Sequence, residues 1–146
     1  MDTHRFLLAA LLLFAAPAAV QADEGPLAFE APWIRAAPPP AAAMAGYVRV
    51  LNRTDGEVVV AALASEAFGA VEAHEMSVVD GVMRMRALPR LRLAPGASLT
   101  LEPGATHLML MRPVQALTPG QQATIEFVLS DGRRQRVEFE VRAAAP

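Results

Sequence analysis

The chain has 146 residues, a length that suits one domain and falls short of the usual size of two. Its formal net charge of −2 gives no indication of a basic surface for nucleic acid or for an anionic membrane. The chain contains no cysteine, which excludes disulfides, thiolate catalysis and any metal site built on thiolates. Its fold must therefore be held together by an apolar core.

The first element in chain order is a predicted export signal. After a short polar start, residues 6–20 form an apolar run, and the small residues of "VQA" follow. This layout is typical of a secretory signal peptide, and the run is too short and too interrupted by Pro17 to span a bilayer. We predict a signal peptide over residues 1–22 and a soluble exported domain over 23–146. Because no cysteine is present to carry a lipid anchor, an unanchored protein is expected. A buried N-terminal helix is the alternative.

The rest of the chain is predicted to form short β-strands separated by turns. Residues 23–29 read as a loose lead-in, "AAPPPAAAMAG" as a proline-rich loop, and only Ser65–Val71 as a possible helical turn. The strand-like segments are "GYVRVLN", "EVVVAALA", "VEAHEMSVV", "GVMRMRAL", "ASLTLEPG", "THLMLMRP", "QATIEFVLSDG" and "RQRVEFEVR". Seven or eight such strands at regular spacing are typical of an antiparallel β-sandwich or a Greek-key barrel.

The Asp80-Gly81 pair predicts a two-residue hairpin turn and with it a strand register. The register places Val79 opposite Val82, Ser77 opposite Arg84, Met76 opposite Met85, and Glu75 opposite Arg86. The last pair has opposite charges, which supports the register independently. One face of the hairpin then carries His74, Met76, Val78, Met83 and Met85. The other face carries Glu75, Ser77, Arg84 and Arg86 and is expected to face water.

A second segment, "HLMLM" at residues 107–111, repeats the combination of histidine and methionine. Alternation along a strand places His107, Met109 and Met111 on one face and two leucines on the other. If the leucines face the core, one imidazole and two thioethers remain on the side where polar residues usually lie. His74 and His107 are the only histidines outside the predicted signal peptide.

The ligand types indicate which metal such a face would bind. Thioether sulfur is soft and imidazole is borderline, so a mixed set favours Cu(I) over zinc or calcium. A blue-copper centre would need a cysteine. The alternative interpretation is that methionine fills gaps in the core and that each histidine is a hydrogen-bonded core residue.

The spacing of these residues resembles that of a known family. His74, Met85, His107 and Met109 follow the pattern H-x10-M-x21-H-x-M, which resembles the PCu(A)C-type periplasmic copper chaperones. The flanking segments "APWIRAAPP", "GYVRVLN", "VEAHEM", "DGVMRMR" and "PGATHLMLM" are similar too, so that the resemblance extends over residues 31–141. It implies a cupredoxin-like β-sandwich in which these four residues bind one Cu(I). It also implies delivery of copper during cytochrome c oxidase assembly, to subunit II or to another copper chaperone.

Several alternatives remain open on the sequence alone. Met76, opposite Met85, could replace another thioether, whereas the resemblance makes Met76, Met83 and Met111 packing residues. The arginines at positions 84, 86, 90, 92 and 112 form either a docking face for an acidic partner or a solvated strand face. We expect a Cu(I) carrier and not an enzyme, since the nearest acid–base candidates are only Glu72 and Glu75 beside His74. A metal-independent adaptor in envelope complex assembly is the alternative function.

Overall fold

The computed structural model describes residues 25–143, all of them in strands, turns and loops. The predicted signal peptide over residues 1–22 lies outside the described residues and stays a prediction. Between residues 25 and 143 there is no apolar helix of membrane-spanning length. The ten strands of the described part are β1 Leu27–Arg35, β2 Ala43–Asn52, β3 Val58–Ala64, β4 Phe68–Val79, β5 Val82–Leu88, β6 Leu91–Leu93, β7 Ser98–Leu101, β8 His107–Pro113, β9 Gln122–Leu129 and β10 Arg134–Arg142.

The strands form one continuous sheet that folds over on itself around a single core. The order is β5-β4-β8-β2-β1-β10-β9-β3-β6, with β7 paired to β2. Leu108 and Leu110 from one half of the sheet share the core with Phe127 and Phe139 from the other half, and all four are fully buried. Every pair is antiparallel except β1 with β10, which run parallel. The predicted all-β sandwich is therefore confirmed, with one parallel pair added.

Two strands were not predicted, and each has a local reason. β1 occupies part of the expected lead-in, and its alternation is interrupted at Pro32. The register shifts between Glu30 and Trp33, and Ala31 has φ 48°, so the proline lies in a bulge where its missing N–H is tolerated. β6 has only three residues, too few for alternation to be visible. The possible helical turn at residues 65–71 is instead a short turn followed by β4.

The hairpin of β4 and β5 has the predicted register throughout. Val79 pairs with Val82 and Met76 with Met85, while Arg86 donates a hydrogen bond to Glu75 at 2.8 Å. Asp80 and Gly81 have positive φ angles of 53° and 76°, as a two-residue hairpin turn of this type requires.

The outer part of this hairpin extends beyond the rest of the sheet. The pairing of β4 with β8 ends at His74, and within the described residues the rest of β4 pairs only with β5. We call residues 75–86 the hairpin arm. Its polar face is exposed as expected, but its apolar face is exposed too, with Val78 69% and Met83 63% accessible. That face therefore lies outside the core.

A buried asparagine joins the end of β2 to the connection after β6. Asn52 is 2% exposed, and its amide nitrogen donates to the carbonyl oxygens of Gly56 at 2.7 Å, Leu93 at 3.0 Å and Ala94 at 3.0 Å. Its side-chain oxygen accepts from both the backbone N–H and the hydroxyl of Thr54. Every polar group of this amide is thus satisfied in the interior.

Candidate metal centre

The four predicted ligands lie on three neighbouring strands, β5, β4 and β8. His74 of β4 pairs directly with His107 of β8, and Met109, two residues along β8, pairs with Glu72. Met85 of β5 pairs with Met76, two residues along β4 from His74. Residues two apart on a strand share a face, so all four side chains project from the same face of the sheet.

This face is the outer one, on the opposite side from the core. Leu108 and Leu110 are 0% exposed and pack inward, which leaves the alternate residues of β8 on the outside. The predicted alternation of "HLMLM" is therefore confirmed. His107 is nevertheless buried at 5% exposure, and the His74 side chain is 16% exposed, so the two imidazoles are shielded from water. Met109 is half-buried and Met85 is exposed.

A hydrogen bond to the backbone defines which nitrogen of His107 is available. The Nδ1 of His107 lies 3.0 Å from the carbonyl oxygen of Ala105. A carbonyl can only accept, so Nδ1 carries the proton and donates it. The neutral ring then has its free lone pair on Nε2, the nitrogen that could bind a metal.

In His74 the proton is on the other ring nitrogen, because that nitrogen faces a carboxylate. Its Nε2 lies 2.9 Å from Oε2 of Glu72, and an ionised carboxylate can only accept, so Nε2 carries the proton. Its Nδ1 is buried and has no hydrogen-bond partner among the described residues. Buried polar atoms are normally paired, so this free nitrogen lone pair is an unusual feature and is available to bind a metal ion.

The two imidazoles are close neighbours on this face. Their ring centroids are 6.2 Å apart and the rings are inclined at 51°. Metal–imidazole bonds of about 2.0–2.1 Å on each side leave room for one ion between rings at this separation. Within residues 25–143 no group of three histidine, aspartate or glutamate residues is arranged to hold a metal. The thioethers of Met85 and Met109, which project from the same face, are the candidates for its further ligands.

Glu72 is the residue of this centre whose role the sequence analysis missed. The sequence alone indicates Glu72 and Glu75 only as acid–base candidates beside His74. Glu72 is two residues from His74 and shares its face, whereas Glu75 is one residue away and pairs with Arg86 on the other face. The two-residue spacing on a predicted strand was the signal that could have identified Glu72.

The five nearby arginines are only partly free to bind a partner. Arg86 pairs with Glu75 at 2.8 Å, and Arg92 pairs with Glu57 at 3.0 Å. Arg84 and Arg86 lie on the opposite face of the hairpin from Met85. A docking role for the whole arginine set is therefore not supported by its placement.

Comparison with known proteins identifies the family. Residues 27–141 match the family model described as "Putative lipoprotein LpqE-like". The chain is also 31% identical over 111 residues to "Putative lipoprotein Lxx21020" of Leifsonia xyli subsp. xyli. That match covers 75% of this chain and 66% of the relative, so the chain aligns with slightly less than two thirds of the relative's length.

Solved structures with the same fold are PCuAC domains and a related protein. The apo PCuAC domain of PmoF2 has a TM-score of 0.68 and 23% identity, covering 82% of this chain and 91% of that domain. The copper-bound PCuAC domain of PmoF2 has the same TM-score at 22% identity, over 82% and 95% of the two chains. Apo-DR1885 from Deinococcus radiodurans has a TM-score of 0.64 and 23% identity, over 98% and 97%.

At under 25% identity these structural likenesses establish the fold alone. They confirm the predicted cupredoxin-like β-sandwich and, at the level of fold, the resemblance noted in the sequence. Together with the family model, which spans most of the chain, they support one conclusion. The chain belongs to the LpqE-like family and has the fold of the PCuAC domains.

Proposed function

We propose that this protein is a periplasmic copper chaperone that binds one Cu(I) through His74, Met85, His107 and Met109. The observation that carries the proposal is a pair of shielded imidazoles, each with one nitrogen free to bind a metal: Nδ1 of His74 and Nε2 of His107. Two thioethers lie on the same face of the sheet. A set of two borderline nitrogens and two soft sulfurs favours Cu(I). The likeness to the copper-bound PCuAC domain of PmoF2 and to the Cu(I) form of DR1885 from Deinococcus radiodurans supports the same ion.

The uncharged donor set suits a carrier more than an enzyme. Neutral imidazole and thioether ligands hold Cu(I) less tightly than thiolates would, so a partner can take the ion by replacing one ligand at a time. Met85, at 52% exposure, is the ligand that an acceptor can reach first. The proposed acceptor is cytochrome c oxidase subunit II or another copper chaperone. Copper enters and leaves as cargo, and no catalytic role is proposed.

An anaerobic Cu(I) titration followed by X-ray absorption tests this function. We expect one tightly bound ion per chain with two sulfur and two nitrogen neighbours. The chain has no cysteine, so any sulfur in the copper shell must come from methionine. A shell of nitrogen and oxygen only would overturn the assignment. Absence of tight binding would favour the alternative, a metal-independent adaptor that helps assemble an envelope complex.

Replacing Glu72 with leucine is expected to weaken Cu(I) binding by about 10–100-fold, the usual effect of removing a hydrogen-bond partner of a metal-binding histidine. The Glu72 carboxylate fixes the Nε2 proton of His74 and so directs Nδ1 towards the ion. Glu72→Gln retains an acceptor and is expected to recover part of the loss. Glu75→Gln is the matched control, because Glu75 lies on the other face of β4. Equal affinities for Glu72→Leu and the control would contradict this role.

A further inference from the structure

Three methionine side chains share the apolar face of the hairpin arm. Met76 and Met85 are directly paired across β4 and β5, and Met83 lies two residues from Met85 on the same face. Side chains paired across strands are about 4.5–5.5 Å apart at Cβ, and diagonal neighbours are about 7–8 Å apart at Cα, within reach of long side chains. Three flexible thioethers can therefore converge on one point.

Two of these methionines, Met83 and Met85, are exposed in a way that packing does not explain, whereas Met76 is half-buried. Met83 is 63% and Met85 52% exposed, whereas methionine is normally among the more buried residue types. The core methionine of the same domain, Met44, is 4% exposed. Because the arm extends past β8, the thioethers of Met83 and Met85 face solvent and contribute little to the core.

We propose that the hairpin arm carries a second, outer site for a soft monovalent ion, formed by the thioethers of Met76, Met83 and Met85. The nearest positive side chains on this strand, Arg84 and Arg86, project from the other face, and the three donors are uncharged. Such a set suits Cu(I) or Ag(I) and contains none of the oxygen ligands that hard cations prefer. The inference extends the proposed function, since Met85 belongs to both the outer and the inner site.

The shared ligand gives the ion a path from solvent to the two imidazoles. Cu(I) bound on the arm can keep its bond to Met85 while its bonds to Met76 and Met83 are replaced by bonds to His74 and His107. Copper stays in the +1 state throughout, and the neutral histidines release no proton on binding. The outer site is expected to bind more weakly than the inner one, because it has no nitrogen ligand.

The test disrupts the inner site by substitution and measures whether the hairpin arm still binds Ag(I). In a chain carrying His74→Ala and Met109→Leu, Ag(I) is titrated while the ε-methyl signals of isotopically labelled methionines are recorded by NMR. We expect one weakly bound silver ion that shifts the signals of Met76, Met83 and Met85. The signal of buried Met44 is expected to stay unchanged, and it also reports that the fold is intact.

A further substitution makes the outcome decisive. Adding Met83→Leu to that variant is expected to weaken silver binding at least about tenfold, as loss of a directly bound ligand should exceed loss of an outer partner. The outer site would be overturned if silver did not shift the NMR signals of Met76 and Met83, or if Met83→Leu left silver binding unchanged. Failure of the proposed function would be seen separately, as absence of tight Cu(I) binding by the unaltered chain.

Discussion

The double variant His74→Ala, Met109→Leu is expected to raise the dissociation constant for Cu(I) by at least about 10,000-fold. Loss of an outer hydrogen-bond partner already costs about 10–100-fold in metal affinity, and a directly bound ligand should cost at least the upper end of that range. The variant removes one nitrogen and one sulfur from the proposed inner site. Competition with a Cu(I) chelator of known affinity measures the change.

Met111→Leu is the matched control for this variant. Met111 lies on the same strand and face as Met109 but pairs with Ala70 and Ala43, farther from the two imidazoles. It is half-buried like Met109, so replacing it with leucine tests whether loss of thioether packing alone affects binding. We expect the affinity of this control to match that of the unaltered chain. A similar loss in both variants would contradict the assignment of Met109 as a ligand.

Asn52→Leu is expected to lower the free energy of unfolding by about 3 kcal/mol. The substitution leaves the carbonyl of Leu93 and the N–H of Thr54 without their side-chain partner, and each unsatisfied buried group costs about 1–3 kcal/mol. Chemical denaturation with two-state analysis measures the change. The slope with denaturant should stay the same if the folded and unfolded states are otherwise unaltered.

Asn52→Asp tests the donating nitrogen of this amide separately from its accepting oxygen. The carboxylate keeps an oxygen acceptor for Thr54 but replaces the donating nitrogen with a second acceptor facing carbonyl oxygens. We expect a loss of stability at least as large as for leucine, because one oxygen of the buried, charged carboxylate then faces only carbonyl oxygens. A loss below about 1 kcal/mol in both variants would show that water satisfies these groups and that Asn52 is not the main connection.

The sequence predicted those features of the centre that depend on local geometry. The Asp80-Gly81 turn determines the register of its own hairpin, so the pairing of Met76 with Met85 followed from two residues. Alternation in residues 107–111 likewise separated His107 and Met109 from the leucines that fill the core. Both inferences need only the period of a strand and the shape of a tight turn.

Features that depend on distant parts of the chain were not predictable in this way. An apolar face on a hairpin looks the same whether it meets a core or projects into solvent, so the exposure of Val78 and Met83 could not be read from the pattern. The parallel pairing of β1 with β10 joins strands far apart in the sequence, and no local pattern in either strand predicts that they pair. β1 was not predicted as a strand because Pro32 interrupts its alternation at a bulge.

The meeting of the first and last strands has a consequence for how the domain folds. The side chain of Gln135 exchanges two hydrogen bonds with the backbone of Leu27, across a sequence separation of 108 residues. Closing so long a loop costs entropy before the contact is formed, and sheets dominated by such contacts fold on the millisecond-to-second timescale. A newly made chain therefore cannot complete the sheet until β10 is available. Until then β1 keeps one edge open to pairing with other chains.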